Sequence, residues 1–159
     1  MHEFLIGGLS YRDAEVCEPE FEGNARSFDE SGVRLRDFNL TDGLSFLYVY
    51  DFGDDWKHVI GFERLLPVEP ARRGASCIDG ARARPPEDVG GVHGYADFLE
   101  IITDPDHPEH RDTRTWAGGH FDPEWFDIGT TDKDVRNAFR ANRRIRLHQP
   151  NPRRQGRAR

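Results

Sequence analysis

The sequence predicts an α+β fold, with an antiparallel sheet built around a central aromatic hairpin and helices packed mainly from the C-terminal half. Residues 44–61, LSFLYVYDFGDDWKHVIG, alternate apolar side chains on both sides of a turn, which is typical of two paired strands. Residues 95–102 instead place Tyr95, Phe98 and Ile102 at helical spacing. Hairpins that precede helices along a chain indicate an α+β domain rather than a doubly wound one.

The N-terminal half contains the predicted strands. Residues 3–11, EFLIGGLSY, predict a short strand that ends at a glycine turn, and the polar residues 13–29 predict a loop. Residues 32–40, GVRLRDFNL, alternate weakly between apolar and polar. The strand from Leu44 to Phe52 is apolar on both faces, so we expect it to be covered on both sides and central. The chain then reverses at GDDW, where Gly53 tolerates a positive φ.

The second half of the chain is less regular. Residues 67–90 are rich in Pro, Gly and Arg, which predicts an irregular connection. After the helix over residues 95–102, the stretch 104–128 has the breakers of a long loop or of very short helices. Thr131 and Asp134 have the spacing of a capping box, which predicts a helix from there towards Ile145.

Composition bounds the class of protein. The chain has 159 residues, of which 36% are hydrophobic and 32% charged, so we expect one soluble domain over residues 1–147. No apolar run is long enough to cross a bilayer, and the start MHEFLIGGLS lacks the basic region of a signal peptide. We therefore expect no membrane association. Two cysteines are too few for a disulfide framework and suit a reducing cytoplasm.

The charge is distributed unevenly along the chain. The net charge is −7, yet residues 140–159 contain eight arginines and no acid. We expect residues 148–159 to be a basic, disordered tail, for which a solvated terminus is the simplest interpretation. Because an acidic body repels nucleic acid, any nucleic-acid binding would depend on this basic end. The candidate residues are Arg143, Arg144, Arg146, Arg153 and Arg154.

Acidic and histidine side chains gather in two segments, the predicted hairpin turn and the stretch RPPEDVGGVHGY at 84–95. They are Asp51, Asp54, Asp55, His58, Glu87, Asp88 and His93. The structural interpretation is that Asp51 binds the turn amides and Trp56 covers the hairpin end, while the acids after the two prolines open a helix. The functional interpretation joins all seven side chains around one acidic pocket.

A divalent metal is the one cofactor that these side chains suggest. Carboxylates with an imidazole suit Mg, Mn or Zn, although the spacing matches no defined metal-binding loop. The candidate ligands are Asp51, Asp55, His58 and Glu87. No GxSxG, CxxC or phosphate-binding glycine pattern is present, so no catalytic residue is assigned and no other cofactor is evident.

Three segments carry a family resemblance: YVYDFGDDWKHVIGFERLLP at 48–67, CIDGARARPPEDVGGVHGYADFLE at 77–100 and WAGGHFDPEWFDI at 116–128. They resemble the plasmid pRiA4b Orf-3-like family, whose members are also labelled insertion-element passenger TnpR proteins. The resemblance runs from about His2 to Ile145. It implies an α+β domain found on plasmids, mobile elements and bacterial chromosomes, and it implies little about activity.

Two departures from the family pattern matter. Family domains begin with a further strand and helix before an HLHEF-like segment, and MHEF falls at that segment here. The resemblance thus implies an N-terminally truncated domain with an unpaired sheet edge. The TnpR label suggests a recombinase, but no serine of this chain lies among the arginines that such an enzyme needs.

Two functions follow from these observations. The first is a non-enzymatic accessory or binding module linked to plasmids or mobile elements, with a protein or nucleic-acid partner. The missing nucleophile motifs and the aromatic-rich stretch from Trp116 to Phe126 favour it. The second is a metal-assisted hydrolase or nuclease that uses the acidic pocket. The partner, the oligomeric state and the presence of any catalysis stay open at this point.

Overall fold

The structure is a computed structural model that describes residues 1–16, 27–67 and 74–138. The chain divides into two compact units, unit 1 with Met1–Pro67 and Asp88–Gly94, and unit 2 with Val68–Glu87 and Tyr95–Arg159. The predicted tail at 148–159, the five candidate arginines of the basic end and the predicted continuation of the last helix towards Ile145 lie outside the described residues. In the part of the chain that is described, no helix is long and apolar enough to cross a membrane.

Unit 1 contains a sheet that has five strands within the described residues, in the order β3-β2-β1-β4-β5. The strands are β1 His2–Ile6, β2 Leu9–Arg12, β3 Ser27–Asp29, β4 Ser45–Tyr50 and β5 Trp56–Gly61. Neighbours pair antiparallel except β2 and β3, which are parallel. Short 3₁₀ helices occupy Ala14–Val16, Glu30–Gly32 and Leu35–Asp37. The last of these lies in the segment 32–40 that was expected to alternate.

Strand β4 has a partner strand on each side, β1 and β5, in agreement with an interior position. Phe46 and Val49 lie on opposite faces of the strand and are both buried, as a strand apolar on both faces predicts. The predicted antiparallel hairpin is present, and its register runs from Ser45 opposite Gly61 to Tyr50 opposite Trp56. The register leaves residues 51–55 as the turn.

Three helices follow within the described residues: α1 Gly91–Thr103, α2 His110–Trp116 and α3 Ile128–Ala138. Helix α1 contains the helical periodicity that the sequence shows over residues 95–102. The expectation that the prolines, Glu87 and Asp88 open a helix is wrong, because α1 begins only at Gly91. The short α2 agrees with the prediction of very short helices in 104–128.

Helix α3 begins three residues before the predicted capping box at Thr131. The Asp127 side chain accepts a hydrogen bond from the Thr130 backbone N–H at 2.6 Å, and the Thr131 N–H donates to the Asp127 carbonyl at 3.0 Å. Asp127 is therefore the N-cap residue. Hydrogen bonds from the Thr130 backbone and side chain hold the pKa of the Asp127 carboxyl below its ordinary value.

Candidate functional site

The hairpin turn of unit 1 contains three of the predicted acidic residues. Asp51 and Asp55 adopt left-handed backbone, with φ of 55° and 52°, so the expectation that Gly53 supplies the positive φ is wrong. The Asp51 carboxylate accepts a hydrogen bond from the Gly53 N–H at 3.0 Å, and the Asp55 N–H donates to the Asp51 carbonyl at 2.6 Å. Asp51 therefore holds the turn, as the structural interpretation of the sequence predicts.

The neighbouring side chains also have protein partners. The Trp56 indole N–H donates to the Asp54 carboxylate at 3.3 Å, and Lys57 pairs with Asp55 at 2.8 Å on the exposed surface. His58 lies on β5, where its Nδ1 is 3.3 Å from the carbonyl oxygen of Tyr48, the residue opposite it. Structural roles thus account for the hairpin acids and for His58.

The second acidic segment approaches the hairpin turn inside unit 1. A Cβ atom on Gly91 would lie 2.3 Å from the Asp54 carbonyl oxygen, so the backbones of these two residues are in close contact. Asp88, in the same segment, is left-handed with φ of 56°. Asp88 and His93 have exposed side chains. Of this segment, Gly91 therefore lies against the turn residue Asp54.

Glu87 belongs to unit 2, where its carboxylate pairs with the Arg84 guanidinium. Across residues 1–16, 27–67 and 74–138, no group of three or more His, Cys, Asp or Glu side chains is arranged to hold a metal ion. The seven-residue acidic pocket and its metal ligands Asp51, Asp55, His58 and Glu87 stay predictions.

Unit 2 contains a cavity of about 580 Å³, which falls in the size range of small-molecule sites. We call it the aromatic cavity. Its lining comes from three segments of the chain, 82–87, 116–126 and the first turns of α3. The apolar side chains that line it are Ala83, Pro85, Pro86, Trp116, Ala117, Phe121, Trp125 and Phe126. The polar ones are Arg82, Arg84, Glu87, His120, Thr130, Thr131 and Asp134.

Buried contacts beneath the cavity position its aromatic rings. Phe98 of α1 is buried, and its ring meets Trp116 and Phe121 edge-on at centroid distances of 5.9 Å and 5.0 Å. Phe126 packs onto Gly80, where a Cβ atom would lie only 2.4 Å from the Phe126 Cζ atom. The absence of a side chain at Gly80 thus leaves room for the Phe126 ring, which forms part of the cavity wall.

Polar contacts connect the segment 82–87 to the aromatic stretch 116–126. The Ala83 N–H donates to the Pro123 carbonyl at 2.9 Å, and Arg82 pairs with Glu124 at 3.3 Å. The sequence singles out the aromatic stretch, but nothing in it indicates that residues 82–87 line the same cavity. The composition of that segment predicts only an irregular connection.

The charges of the cavity are mostly compensated. Arg82 and Arg84 each pair with a carboxylate, from Glu124 and Glu87 respectively. The side chain of Asp134, on α3, has no hydrogen-bond or ion-pair partner among the described residues. The cavity wall therefore combines aromatic surface with one carboxylate that is not neutralised there.

A mostly antiparallel sheet in unit 1 and three described helices in the C-terminal half define an α+β protein, as predicted. The chain belongs to the plasmid pRiA4b ORF-3-like protein family, whose sequence model matches residues 1–130. The resemblance drawn from the three motifs is thereby confirmed.

The chain is similar to two proteins of unassigned function. It is 44% identical over 129 residues to "Uncharacterized protein y4hQ" of Sinorhizobium fredii (strain NBRC 101917 / NGR234), which covers 74% of this chain and 66% of that relative. The match thus spans just under two thirds of the relative's length. The crystal structure of "Protein of Unknown Function MM3350" from Methanosarcina mazei Go1 is similar, with a TM-score of 0.67 and 33% identity. That likeness covers 81% of this chain and 71% of the other.

Proposed function

We propose that the protein is a binding module and that the aromatic cavity of unit 2 is its ligand site. The observation that supports this function is the cavity itself, whose volume suits a small molecule and whose wall includes four aromatic rings of Trp and Phe and two prolines. A few polar side chains at the wall would fix the orientation of a ligand. No chemical step on the ligand is part of the proposal.

The exposure of Trp116 favours a binding role over a purely structural one. Trp116 leaves 54% of its surface exposed although its ring contacts the buried Phe98. Covering apolar surface gains about 25 cal/mol per Å², so a ligand that fills the cavity would be held mainly by this burial. A packing role alone would be served better by rings that bury each other fully.

An accessory role linked to plasmids or mobile elements, in the cytoplasm of a bacterium, is the wider setting that we propose. The family's name supports the plasmid link. Cys77, the cysteine among the described residues, is a free thiol, which suits a reducing compartment.

Thermal unfolding with a panel of small aromatic molecules tests the binding function. A ligand at about ten times its Kd stabilises the native state by about 1.4 kcal/mol, which for a chain of this size raises Tm by about 3–5 °C. We expect Trp125→Ala to abolish the rise and Val59→Ala, an exposed apolar change on β5, to preserve it. Ala117→Leu fills part of the cavity and should block binding while the chain still folds. A panel without any stabilising molecule, or a rise that survives in Trp125→Ala, would count against the proposal.

The second candidate is a metal-assisted hydrolase or nuclease that uses the predicted acidic pocket. The close approach of Gly91 to Asp54, which places the start of α1 against the acidic hairpin turn within unit 1, supports it. Elemental analysis of untagged protein purified without chelator tests this function. It predicts stoichiometric metal and a higher Tm with Mg, Mn or Zn, and the absence of both would eliminate it.

A further inference from the structure

We infer that the aromatic cavity takes an organic cation with an apolar body, such as a substituted ammonium compound. The inference rests on the proposed binding function and names the chemical class of the ligand. It follows from three properties of the described wall: its aromatic side chains, its charge balance and its volume.

The charges of the cavity wall favour a cationic ligand over an anionic one. Both arginines of the wall are already paired, Arg82 with Glu124 and Arg84 with Glu87. Each carboxylate neutralises the charge of its arginine, so the paired arginines give an anionic ligand little net attraction. Asp134 has no such partner among the described residues, so a cation can approach its carboxylate without breaking an existing pair.

The aromatic side chains favour the same class of ligand. The faces of tryptophan and phenylalanine rings carry partial negative charge and attract cations, tryptophan most strongly. Four such rings line the cavity, from Trp116, Phe121, Trp125 and Phe126. A substituted ammonium group loses little hydration when it meets aromatic surface, whereas a small, strongly hydrated ammonium would lose more. Ring attraction and the Asp134 charge therefore act together.

The volume indicates that the cation carries an apolar body. A cavity of about 580 Å³ is much larger than one ammonium group and has the size of a pocket for a whole small molecule. Pro85 and Pro86 extend the apolar wall beyond the rings. Apolar groups on the ligand would cover this surface.

A pair of molecules with the same shape and different charge tests the inference. We would titrate (3-hydroxyphenyl)trimethylammonium and its neutral analogue 3-tert-butylphenol into the full chain by isothermal calorimetry. The cation should bind about fivefold to tenfold more tightly than the neutral analogue, because ring attraction and the nearby carboxylate act only on the charge. Asp134→Asn should reduce that preference to about twofold or less without weakening the neutral analogue. Asp112→Asn, an exposed change on α2 outside the cavity wall, is the matched control and should keep the full preference.

The possible outcomes distinguish a failure of the inferred ligand class from a failure of the proposed binding function on which it rests. If the neutral analogue binds as tightly as the cation or more tightly, and Trp125→Ala abolishes that binding, the preference for a cation is wrong while the proposed binding function stands. If the preference for the cation is unchanged in Asp134→Asn, the Asp134 carboxylate does not contribute to that preference. If neither molecule binds and the aromatic panel yields only uncharged or anionic ligands, the inference fails. If nothing in the panel binds, the proposed function fails with it.

Discussion

Replacing Gly91 by alanine tests the contact between the hairpin turn and the start of α1. Gly91 has φ of +66°, a conformation that alanine adopts only at a cost. The added Cβ atom would also lie 2.3 Å from the Asp54 carbonyl oxygen, well inside the shortest separations that real Cβ atoms show. Both atoms belong to the backbone framework of unit 1, so neither can move away by a change of rotamer.

The two effects add to a large destabilisation. Left-handed backbone costs an alanine about 1–2 kcal/mol, and forcing extra volume into a tight contact costs about 1–3 kcal/mol more. The sum of about 2–5 kcal/mol is a large share of the stability of an ordinary domain. With about 2–4 °C of Tm per kcal/mol at this chain length, we expect Tm to fall by about 10 °C.

Gly43→Ala is the matched control for this measurement. Gly43 lies in the same unit with φ of +85°, but no atom lies within 4 Å of a Cβ built there. It carries the backbone cost alone, so its Tm should fall by about 4 °C. Thermal unfolding followed by circular dichroism compares the two variants with the wild type. An equal loss in both variants would refute the close contact between Gly91 and Asp54.

Three further predictions concern unit 2 and the basic end of the chain. Gly80→Ala should displace the Phe126 ring and weaken binding of 3-tert-butylphenol in calorimetry, and an unchanged affinity would show that this ring is not a wall of the site. Asp127→Ala should lower Tm at neutral pH because the N-cap of α3 is lost. Since the folded pKa of Asp127 is lowered, its stabilising effect is present above the ordinary value of 3.8 and is lost as pH falls through the folded pKa. The Tm difference from wild type should thus shrink in acid, and a difference that grows there would contradict the cap. Deleting residues 140–159 should remove salt-dependent nucleic-acid binding in fluorescence anisotropy, whereas binding that persists would exclude the arginines as its source.

The hairpin was predictable because its signals are local. The alternation in β4 and the acidic residues that follow it determine a strand and a turn without knowledge of the rest of the chain. The residue that takes the positive φ was not predictable. Aspartate and glycine can both adopt left-handed backbone, and the pairing of Tyr50 with Trp56 decides which positions need it.

The start of α3 shows the same limit. Asp127 and Thr131 are both good N-cap residues, so the sequence offers two starting points four residues apart. The helix begins after Asp127, where the side chain reaches the Thr130 N–H. Helix boundaries depend on such a choice, while the existence of a helix depends on its overall pattern.

Only part of the candidate site was predictable from the sequence. The aromatic stretch from Trp116 to Phe126 stood out by composition and led to the expectation of a binding module. Most of the charged side chains of the cavity come from residues 82–87, and another is Asp134; these positions are distant along the chain and have no shared motif. Tertiary packing brings them together, and no local pattern encodes that.

The indole N–H signals in a ¹H–¹⁵N correlation spectrum test the central claim most directly. The chain has three tryptophans: Trp116 and Trp125 line the aromatic cavity, whereas Trp56 lies on β5 of unit 1 and donates its indole N–H to Asp54. Titration with (3-hydroxyphenyl)trimethylammonium or 3-tert-butylphenol should shift the signals of Trp116 and Trp125 in a saturable way and leave that of Trp56 in place. Shifts confined to Trp56, or no shift with either molecule up to millimolar concentration, would contradict a ligand site in this cavity.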